Sequence, residues 1–285
     1  PEPDDGLSEM AADYYGAPLA LPVAGSQAAI QALPQLRRAS RVGILEPTYA
    51  EHRRAWDRAG HEVISLSADV TVQQLAQLDV LIVVNPNNPT GALLTTERLL
   101  QWRQVLCQRG GWLVVDEAFM DATPGYSLAV HSHLPGLIVL RSVGKFFGLA
   151  GLRLGFVLAA GSLLAALEEQ LGPWAVSGPA RAVGQAILGD RRTQQLWRSR
   201  LLQDSERLAE LLTAFGLEEG SGCGLFQWRQ PGAEQAQAIY HGLARRGVLV
   251  RRFPDLAGLR FGLPRSESHW QRLQQALHDS LKELA

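Results

Sequence analysis

The feature that most constrains the fold is a series of short, continuous runs of Val, Ile and Leu, which alternate with helical stretches up to about residue 160. Runs such as Val80–Val84 lack alternation of polar and apolar residues, which is typical of strands buried on both faces of a largely parallel sheet. The predicted strands are Val42–Leu45, Glu62–Leu66, Val80–Val84, Trp112–Val115, Leu137–Leu140 and Leu154–Leu158. This pattern predicts an α/β fold, a mostly parallel sheet with helices on both faces.

The stretches between these strands have the composition of helices. The predicted helices are Gln27–Arg38, Tyr49–Ala59, Thr96–Gln108 and Leu163–Leu171. Ser26 is a suitable cap for the first helix, and Thr95 or Thr96 for the third, because a hydroxyl can accept a hydrogen bond from the first helical turn.

The pattern changes past Gly172-Pro173, where longer helices and only short strands follow. The predicted elements there are helices Pro179–Leu188, Thr193–Phe215 and Glu267–Leu284, and strands Leu225–Arg229, Val248–Arg252 and Leu259–Leu263. We therefore expect a large α/β domain over residues 1–172 and a smaller α+β C-terminal domain over residues 173–285.

Composition argues against several classes of protein. The 285 residues are 46% hydrophobic with a net charge of −1, which disfavours a disordered chain, nonspecific nucleic-acid binding and a polybasic membrane patch. Cys107 and Cys223 are too few for a disulfide framework or a cysteine zinc site, so we expect a reducing compartment and no metal. The most apolar stretch, Phe156 to Leu167, is shorter than the roughly 18 residues of a membrane span, and no secretory signal opens the sequence. These features predict a cytoplasmic protein without a membrane or nucleic-acid partner.

Lysine is rare in this sequence, and this singles out one residue. Of 27 basic residues only two are lysines, Lys145 and Lys282. Arginine cannot replace lysine where an amine must lose its proton and attack a carbonyl group. Lys282 lies close to the C-terminal end, on a predicted solvated helix end, whereas Lys145 lies in the most distinctive motif of the chain.

Three distinctive segments each follow a predicted strand, at the end where open α/β sheets bind ligands. They are the rigid turn Asn85–Gly91 (NPNNPTG), the strand end at Asp116, and Ser142–Gly155, which carries Lys145 and Arg153. A hydroxyl, an amine and a guanidinium in the third segment can form an anion pocket. Taken singly, such turns and strand-end carboxylates are common, and the Gly-x4-Gly-Lys-Ser/Thr pattern of a P-loop is absent from the third segment.

Together, in this order and at three strand ends, these segments resemble the signature of fold-type I pyridoxal-phosphate enzymes of the aspartate aminotransferase superfamily. The chain is similar to the branch that holds histidinol-phosphate aminotransferase and the threonine-phosphate decarboxylase of cobalamin synthesis. The resemblance implies the type I transferase fold, binding of pyridoxal 5′-phosphate by the large domain, and a homodimer. The family also has an N-terminal segment that lines the substrate site, with a tyrosine before a Pro-x-Pro like Pro1-Glu2-Pro3, and the sequence begins just after that position.

The resemblance assigns roles around the cofactor ring. Lys145 would bind the cofactor covalently through its amine and then move a proton, and Asp116 would pair with the pyridinium nitrogen. Asn88 would hydrogen-bond the phenolic oxygen, and Tyr49 would stack on the ring. His52 matches a histidine that lies behind the pyridinium carboxylate.

Further roles concern the anionic groups of cofactor and substrate. The residues that would bind the cofactor phosphate are Gly25, Ser26, Gln27, Ser142 and Arg153. Arg260 matches the arginine that holds the substrate carboxylate or the group in its place. Arg251 is a second candidate for binding a substrate anion.

Two features favour the decarboxylase within this branch. Phe119 stands where most aminotransferases of the superfamily have a tyrosine, and Pro173–Ala180 resembles the Pro-Trp-x-Val stretch of the decarboxylase. The implied reaction converts a small phosphorylated amino acid, L-threonine O-3-phosphate, to (R)-1-amino-2-propanol O-2-phosphate. A histidinol-phosphate-type aminotransferase is the alternative, and a non-catalytic ligand sensor on the same fold is a more distant one.

Overall fold

The protein is described by a computed structural model, which covers residues 5–284. The predicted correspondence at Pro1-Glu2-Pro3 lies outside the described residues. The chain divides into two compact units: the first holds the residues up to Asn87 together with Leu93–Gln194, and the second holds Asn88–Ala92 and the residues from Gln195 onward. The domain boundary expected at residue 172 stays a prediction.

A seven-stranded sheet lies at the centre of the first unit, in the order β1-β7-β6-β5-β4-β2-β3. Its strands are β1 (Leu21–Val23), β2 (Arg41–Leu45), β3 (Glu62–Leu66), β4 (Val80–Val84), β5 (Trp112–Asp116), β6 (Leu137–Ser142) and β7 (Gly155–Ala159). Strands β2 to β6 are parallel, β7 is antiparallel to β6, and β1 is antiparallel to β7. The mostly parallel sheet confirms the predicted fold class.

Helices cover the sheet of the first unit. They are α1 (Leu7–Tyr15), α2 (Ser26–Ala32), α3 (Glu51–Arg58), α4 (Val72–Leu75), α5 (Thr96–Cys107), α6 (Gly161–Leu171) and α7 (Gly178–Gly189), and α8 (Arg191–Ala214) begins here. Every residue of β4, β6 and β7 is buried, so both faces of these strands are covered. Among residues 5–284, no helix has the length and apolar composition needed to cross a membrane.

Alternate residues of the parallel strands pack against the helices. Ile44, Ile82 and Ile138 belong to one core cluster with Ile30 of α2 and Trp56 of α3. Full burial of one such aliphatic side chain contributes about 1.5–3 kcal/mol to stability, so this packing fixes which face each strand presents.

Parallel pairing brings the carboxyl ends of three strands to one edge of the sheet. Val84 at the end of β4 pairs with Asp116 at the end of β5, and Asp116 pairs with Leu140 of β6. Asn85 follows β4 and Ser142 ends β6. The polar residues singled out in the sequence of the first unit therefore follow adjacent strands, as predicted.

The second unit is an antiparallel sheet packed against helices. Its strands are β8 (Gly220–Cys223), β9 (Phe226–Arg229), β10 (Arg251–Phe253) and β11 (Gly258–Gly262), in the order β10-β11-β9-β8, and its further helices are α9 (Ala233–Arg245) and α10 (Glu267–Lys282). Ile239, Phe261 and Trp270 lie in its core. This is the predicted α+β arrangement.

Two local expectations are wrong. Ser26 does not cap α2, because the helix begins at Ser26 itself and Gly25, with a φ of 73°, occupies the cap position. The helix expected over Gln27–Arg38 ends at Ala32 and continues as a 3-10 turn, Leu33–Leu36, because Pro34 has no N–H to extend an α-helix.

One predicted helix cap is confirmed, and five elements were not predicted from the sequence. Thr95 caps α5 as predicted, accepting a hydrogen bond from the Arg98 N–H. The sequence reading missed α1, β1, α4, β8 and α9. Strand β8 has the sequence Gly-Ser-Gly-Cys, which carries no strand signal, because its pairing with β9 is a tertiary contact.

Candidate active site

Asp116 is a buried carboxylate with a donor on each oxygen. It ends β5 and is only 3% exposed. Its Oδ2 lies 2.9 Å from Nε2 of His52, which is buried on α3, and its Oδ1 accepts a hydrogen bond of 3.0 Å from the Ala118 N–H. Burial of a carboxylate is costly unless it is hydrogen-bonded, so these two donors stabilise the group and hold its orientation.

Lys145 presents an amine beside an aromatic ring. It lies in the loop after β6 and is exposed, and its Nζ lies 5.5 Å from the ring centroid of Phe119. Phe119 is buried and follows Asp116 by three residues. An accessible lysine amine can react with a carbonyl compound once it has lost its proton.

The guanidinium of Arg153 occupies the open side of Gly25. A Cβ at Gly25 would lie 2.6 Å from Arg153 Nη2, and the positive φ of 73° also favours glycine there. Arg153 itself has a left-handed backbone, with a φ of 55°. Any side chain at residue 25 would collide with the guanidinium, so the glycine lets Arg153 lie directly against the backbone before α2, an arrangement called here the cationic cradle.

Strand β7 places two further polar groups near this cradle. Gly155 pairs with Val23 on one side and with Ser142 on the other, so Ser142 and the turn after β1 flank the same strand. A Cβ at Gly155 would lie 2.6 Å from the Ser26 backbone nitrogen, which shows how closely the turn approaches. N–H groups of a first helical turn, a hydroxyl and a guanidinium together suit a phosphate.

Tyr49 and Gln27 are joined by a hydrogen bond. The Tyr49 hydroxyl donates to Gln27 Oε1 at 3.3 Å, and Gln27 Nε2 donates to Glu51 at 3.4 Å. The Tyr49 ring also packs edge-on against His52, with centroids 6.2 Å apart. Two residues predicted at different parts of one site, the cofactor ring and the cofactor phosphate, therefore contact each other.

The second unit carries a pair of arginines on adjacent strands. Arg251 and Arg260 lie directly opposite each other in the antiparallel β10–β11 pair. Burial lowers the pKa of Arg260 below its ordinary value, and the charge of Arg251 lowers it further. Arg260 Nη1 also donates to Oδ1 of Asn88, which belongs to the same unit. Like charges placed directly opposite are destabilising, so the pair suits a bound anion.

The structure distributes the predicted site residues over the two units. The first unit holds Gly25, Ser26, Gln27, Tyr49, Asp116, Ser142, Lys145 and Arg153, and the second holds Asn88, Arg251 and Arg260. Within the first unit the amine, the buried carboxylate and the cationic cradle suit a ligand with a carbonyl group, a basic ring nitrogen and a phosphate. The roles of individual residues stay predictions.

The sequence reading missed a buried ion cluster of Glu117, Asp121 and Arg141. A signal was present, because Arg141 interrupts an apolar strand and two acidic residues follow Asp116 closely. Charged groups in such positions must be paired when the strand is buried. The partners could not be named from the sequence, because 24 residues separate Glu117 from Arg141.

Comparison with known proteins agrees with this geometry. The sequence model of the family "Aminotransferase class I and II" matches residues 5–279. Threonine-phosphate decarboxylase of Pseudomonas aeruginosa is 56% identical over 277 residues, which cover 97% of this chain and 83% of that protein. Threonine-phosphate decarboxylase of a Sinorhizobium species is 42% identical over 281 residues, 96% of this chain and 82% of that protein.

Solved structures share the fold at low identity. The histidinol-phosphate aminotransferase of Clostridium acetobutylicum superposes with a TM-score of 0.87 and 20% identity, covering 97% of this chain and 88% of that one. At that identity the likeness shows the fold alone.

We expect His52→Leu to lower the free energy of unfolding by about 1–3 kcal/mol, because it leaves a buried oxygen of Asp116 without its donor. Urea denaturation of the purified protein measures this loss. His52→Gln is the matched control, since an amide N–H can still donate to the carboxylate and should lose less. Equal losses in both variants would contradict a role for the hydrogen bond.

Proposed function

The chain belongs to the aminotransferase class I and II family, and we propose that it is a pyridoxal-phosphate-dependent decarboxylase of L-threonine O-3-phosphate. The observation that carries the proposal is the 56% identity to the Pseudomonas threonine-phosphate decarboxylase over nearly the whole chain. The products would be carbon dioxide and (R)-1-amino-2-propanol O-2-phosphate, used in cobalamin synthesis. A cytoplasmic location stays a prediction.

The residues of the first unit fit pyridoxal phosphate. Lys145 offers the amine for the cofactor carbonyl, and Asp116 offers a buried carboxylate for the ring nitrogen. The cationic cradle of Gly25 and Arg153 suits the phosphate, with Ser142 on the neighbouring strand. Tyr49, Ser26 and Gln27 keep their predicted roles at the ring and the phosphate. In the second unit Arg260 donates to Oδ1 of Asn88, so the Asn88 amide nitrogen is the atom suited to hydrogen-bond the phenolic oxygen.

Bound pyridoxal phosphate supplies an electron sink for the electron pair that remains on Cα when carbon dioxide leaves. The Asp116 carboxylate would hold the ring nitrogen in its protonated form, and His52 keeps the carboxylate aligned. Lys145 would hold the cofactor through its amine, and the same amine would be the group that can return a proton to Cα.

Phe119 supports decarboxylation over amino transfer. Its ring, not a phenolic hydroxyl, lies next to Lys145 Nζ, so this side of the amine is apolar. A tyrosine hydroxyl there would offer a hydrogen bond that changes the electronics of the bound cofactor. Relatives named threonine-phosphate decarboxylase also match over 96–97% of the chain.

Arg251 and Arg260 are proposed as the anchors of the substrate anions. Two guanidinium groups directly opposite on paired strands repel each other without an anion, and a phosphorylated amino acid carries two anionic groups. Arg260 also stacks its guanidinium 4.9 Å from the Phe226 ring centroid, which holds its plane in one orientation.

A homodimer is the proposed assembly, and the surface around Trp174 supports it. Trp174 is 78% exposed and has a φ of 60°, an unusual backbone for a bulky residue. It borders an open cavity of about 660 Å³ that is also lined by Leu21, Leu171 and Val176. An exposed tryptophan beside a cavity with both apolar and charged residues on its wall is typical of an interface, where such aromatic residues contribute much of the binding energy.

We expect the protein loaded with pyridoxal phosphate to release carbon dioxide from L-threonine O-3-phosphate. Borohydride reduction should fix the cofactor on Lys145, and Lys145→Arg should lower turnover by about 100- to 10,000-fold or more. Lys282→Arg is the matched control, since these are the only two lysines, and should leave both results unchanged. Formation of glutamate from histidinol phosphate and 2-oxoglutarate, without carbon dioxide from threonine phosphate, would instead establish the aminotransferase.

We expect Arg251→Gln to raise KM for threonine phosphate about 10- to 100-fold, because a charge-assisted hydrogen bond contributes about 1.5–3 kcal/mol. The free energy of unfolding without substrate should not fall, because the variant removes a contact between like charges. Arg252→Gln is the control, since neighbouring residues of a strand point to opposite faces. Initial rates give KM and urea denaturation gives the free energy of unfolding for each variant. An equal rise of KM in Arg251→Gln and Arg252→Gln would contradict the assignment of Arg251.

We expect light scattering to show a dimer at micromolar concentration. Trp174→Arg should weaken the dimer at least about tenfold, because a buried aromatic residue at an interface often contributes about 2 kcal/mol or more. Leu249→Arg, at a residue that is 82% exposed in the second unit, is the control and should leave the mass unchanged. A monomeric wild-type protein would refute the proposed assembly.

A further inference from the structure

The buried ion cluster is a group of three charged residues in the interior of the first unit. Glu117, Asp121 and Arg141 are each at most 1% exposed. Arg141 Nη1 lies 2.6 Å from Glu117 Oε2, and its Nη2 lies 3.1 Å from Asp121 Oδ1. One guanidinium thus bridges two carboxylates, which a planar fork of donors can do and a lysine ammonium cannot do in the same geometry.

Neighbouring groups hydrogen-bond the Glu117 carboxylate and pack against the Arg141 guanidinium. Glu117 accepts hydrogen bonds from the Ser127 hydroxyl at 2.5 Å and from the Leu128 N–H at 2.8 Å. Arg141 stacks 4.5 Å from the ring centroid of Tyr15. Burial raises the pKa of Glu117, while the positive charge of Arg141 opposes that rise. An interior ion cluster of this kind adds little net stability compared with apolar packing, which favours a positional role for it.

The cluster joins the two loops that carry the reactive groups. Glu117 and Asp121 lie on either side of Phe119 in the loop after β5, whereas Arg141 lies on β6, four residues before Lys145. These bonds therefore tie the segment that presents the Phe119 ring to the strand that leads to Lys145.

Tyr14 of α1 makes a second connection between the same loops. Its hydroxyl donates to Asp121 Oδ1 at 3.0 Å, and its ring packs 5.8 Å from the ring of Phe147, two residues past Lys145. Helix α1 thus contacts both the loop after β5 and the loop after β6.

We propose that Arg141 is a positioning residue, which holds the Phe119 ring against Lys145 Nζ through its bonds to Glu117 and Asp121. The proposal rests on the proposed function in taking Lys145 as the lysine that binds the cofactor. Its consequence is that the orientation of the amine depends on a buried arginine that contacts neither the amine nor the carboxylate of Asp116 in the contacts described above.

The test measures how fast a small acylating reagent modifies Lys145 in the cofactor-free protein. Lys282 serves as the internal reference, because it is the only other lysine of the wild-type chain. We expect Arg141→Lys to raise the Lys145 rate about two- to fivefold relative to Lys282, the factor that corresponds to loss of a cation–π contact at an exposed site. Tandem mass spectrometry assigns each modified residue.

Phe119→Leu provides the second arm of the experiment. It removes the ring itself and should raise the Lys145 rate by a similar factor. In the double variant, Arg141→Lys should add no further increase, because the arginine acts through the ring. Additive increases would overturn the proposal, as would a wild-type rate in either single variant.

Arg229→Lys is the matched control for loss of a buried arginine. Arg229 is 4% exposed, lies on β9 of the second unit and donates to backbone carbonyls of Trp228 and Ala209. It should lower the melting temperature without changing the Lys145 rate or the visible circular dichroism of the bound cofactor. Arg141→Lys should change both the Lys145 rate and the visible circular dichroism. If Arg141→Lys lowers only the melting temperature, Arg141 serves folding alone and the proposal is wrong.

Tyr14→Phe keeps the proposal testable if Arg141→Lys does not fold. It removes the Tyr14 hydroxyl that donates to Asp121 and leaves the ring contact with Phe147 in place. We expect a smaller rise of the Lys145 rate, again absent in the Phe119→Leu background, and an unchanged rate would count against the proposal. None of these rates requires turnover, so they are independent of whether the wild-type protein releases carbon dioxide from threonine phosphate.

Discussion

Parallel pairing of β4, β5 and β6 is the constraint on which the chemistry of the first unit depends. Because the three strands run in one direction with a fixed register, Asn85, Asp116 and Ser142 emerge at the same edge of the sheet. A slip of one residue would turn each of these side chains to the opposite face. The apolar packing against α2 and α3 opposes such a slip, so the hydrophobic core sets the position of the polar residues.

Placing charge at a buried edge requires partners, and the protein supplies them from elements far apart in sequence. His52 on α3 supports Asp116, and Arg141 on β6 supports Glu117 and Asp121. Burial of any one of these charged groups without its partner costs free energy. The ion pairs and hydrogen bonds that offset this cost form only in the complete fold. The same contacts that stabilise the charges therefore also orient the carboxylate and the loop that bears Phe119.

The fold itself does not distinguish decarboxylation from amino transfer. An aminotransferase superposes on this chain with a TM-score of 0.87, whereas two relatives of 56% and 42% identity are named decarboxylases. Discrimination therefore resides in side chains on a shared framework, and the proposed residues are Phe119 beside the amine and the Arg251–Arg260 pair on the second sheet.

The sequence by itself determined the α/β class, the strand ends and the motif residues, because continuous apolar runs and rare residue types such as Lys145 are local signals. It also placed β3 and β4 at their observed bounds. Only the tertiary structure decided that Gly25 rather than Ser26 precedes α2, that Gly-Ser-Gly-Cys forms β8, and that Arg141 pairs with Glu117 and Asp121. These outcomes depend on contacts between residues distant in the chain, and no local propensity encodes which distant group arrives.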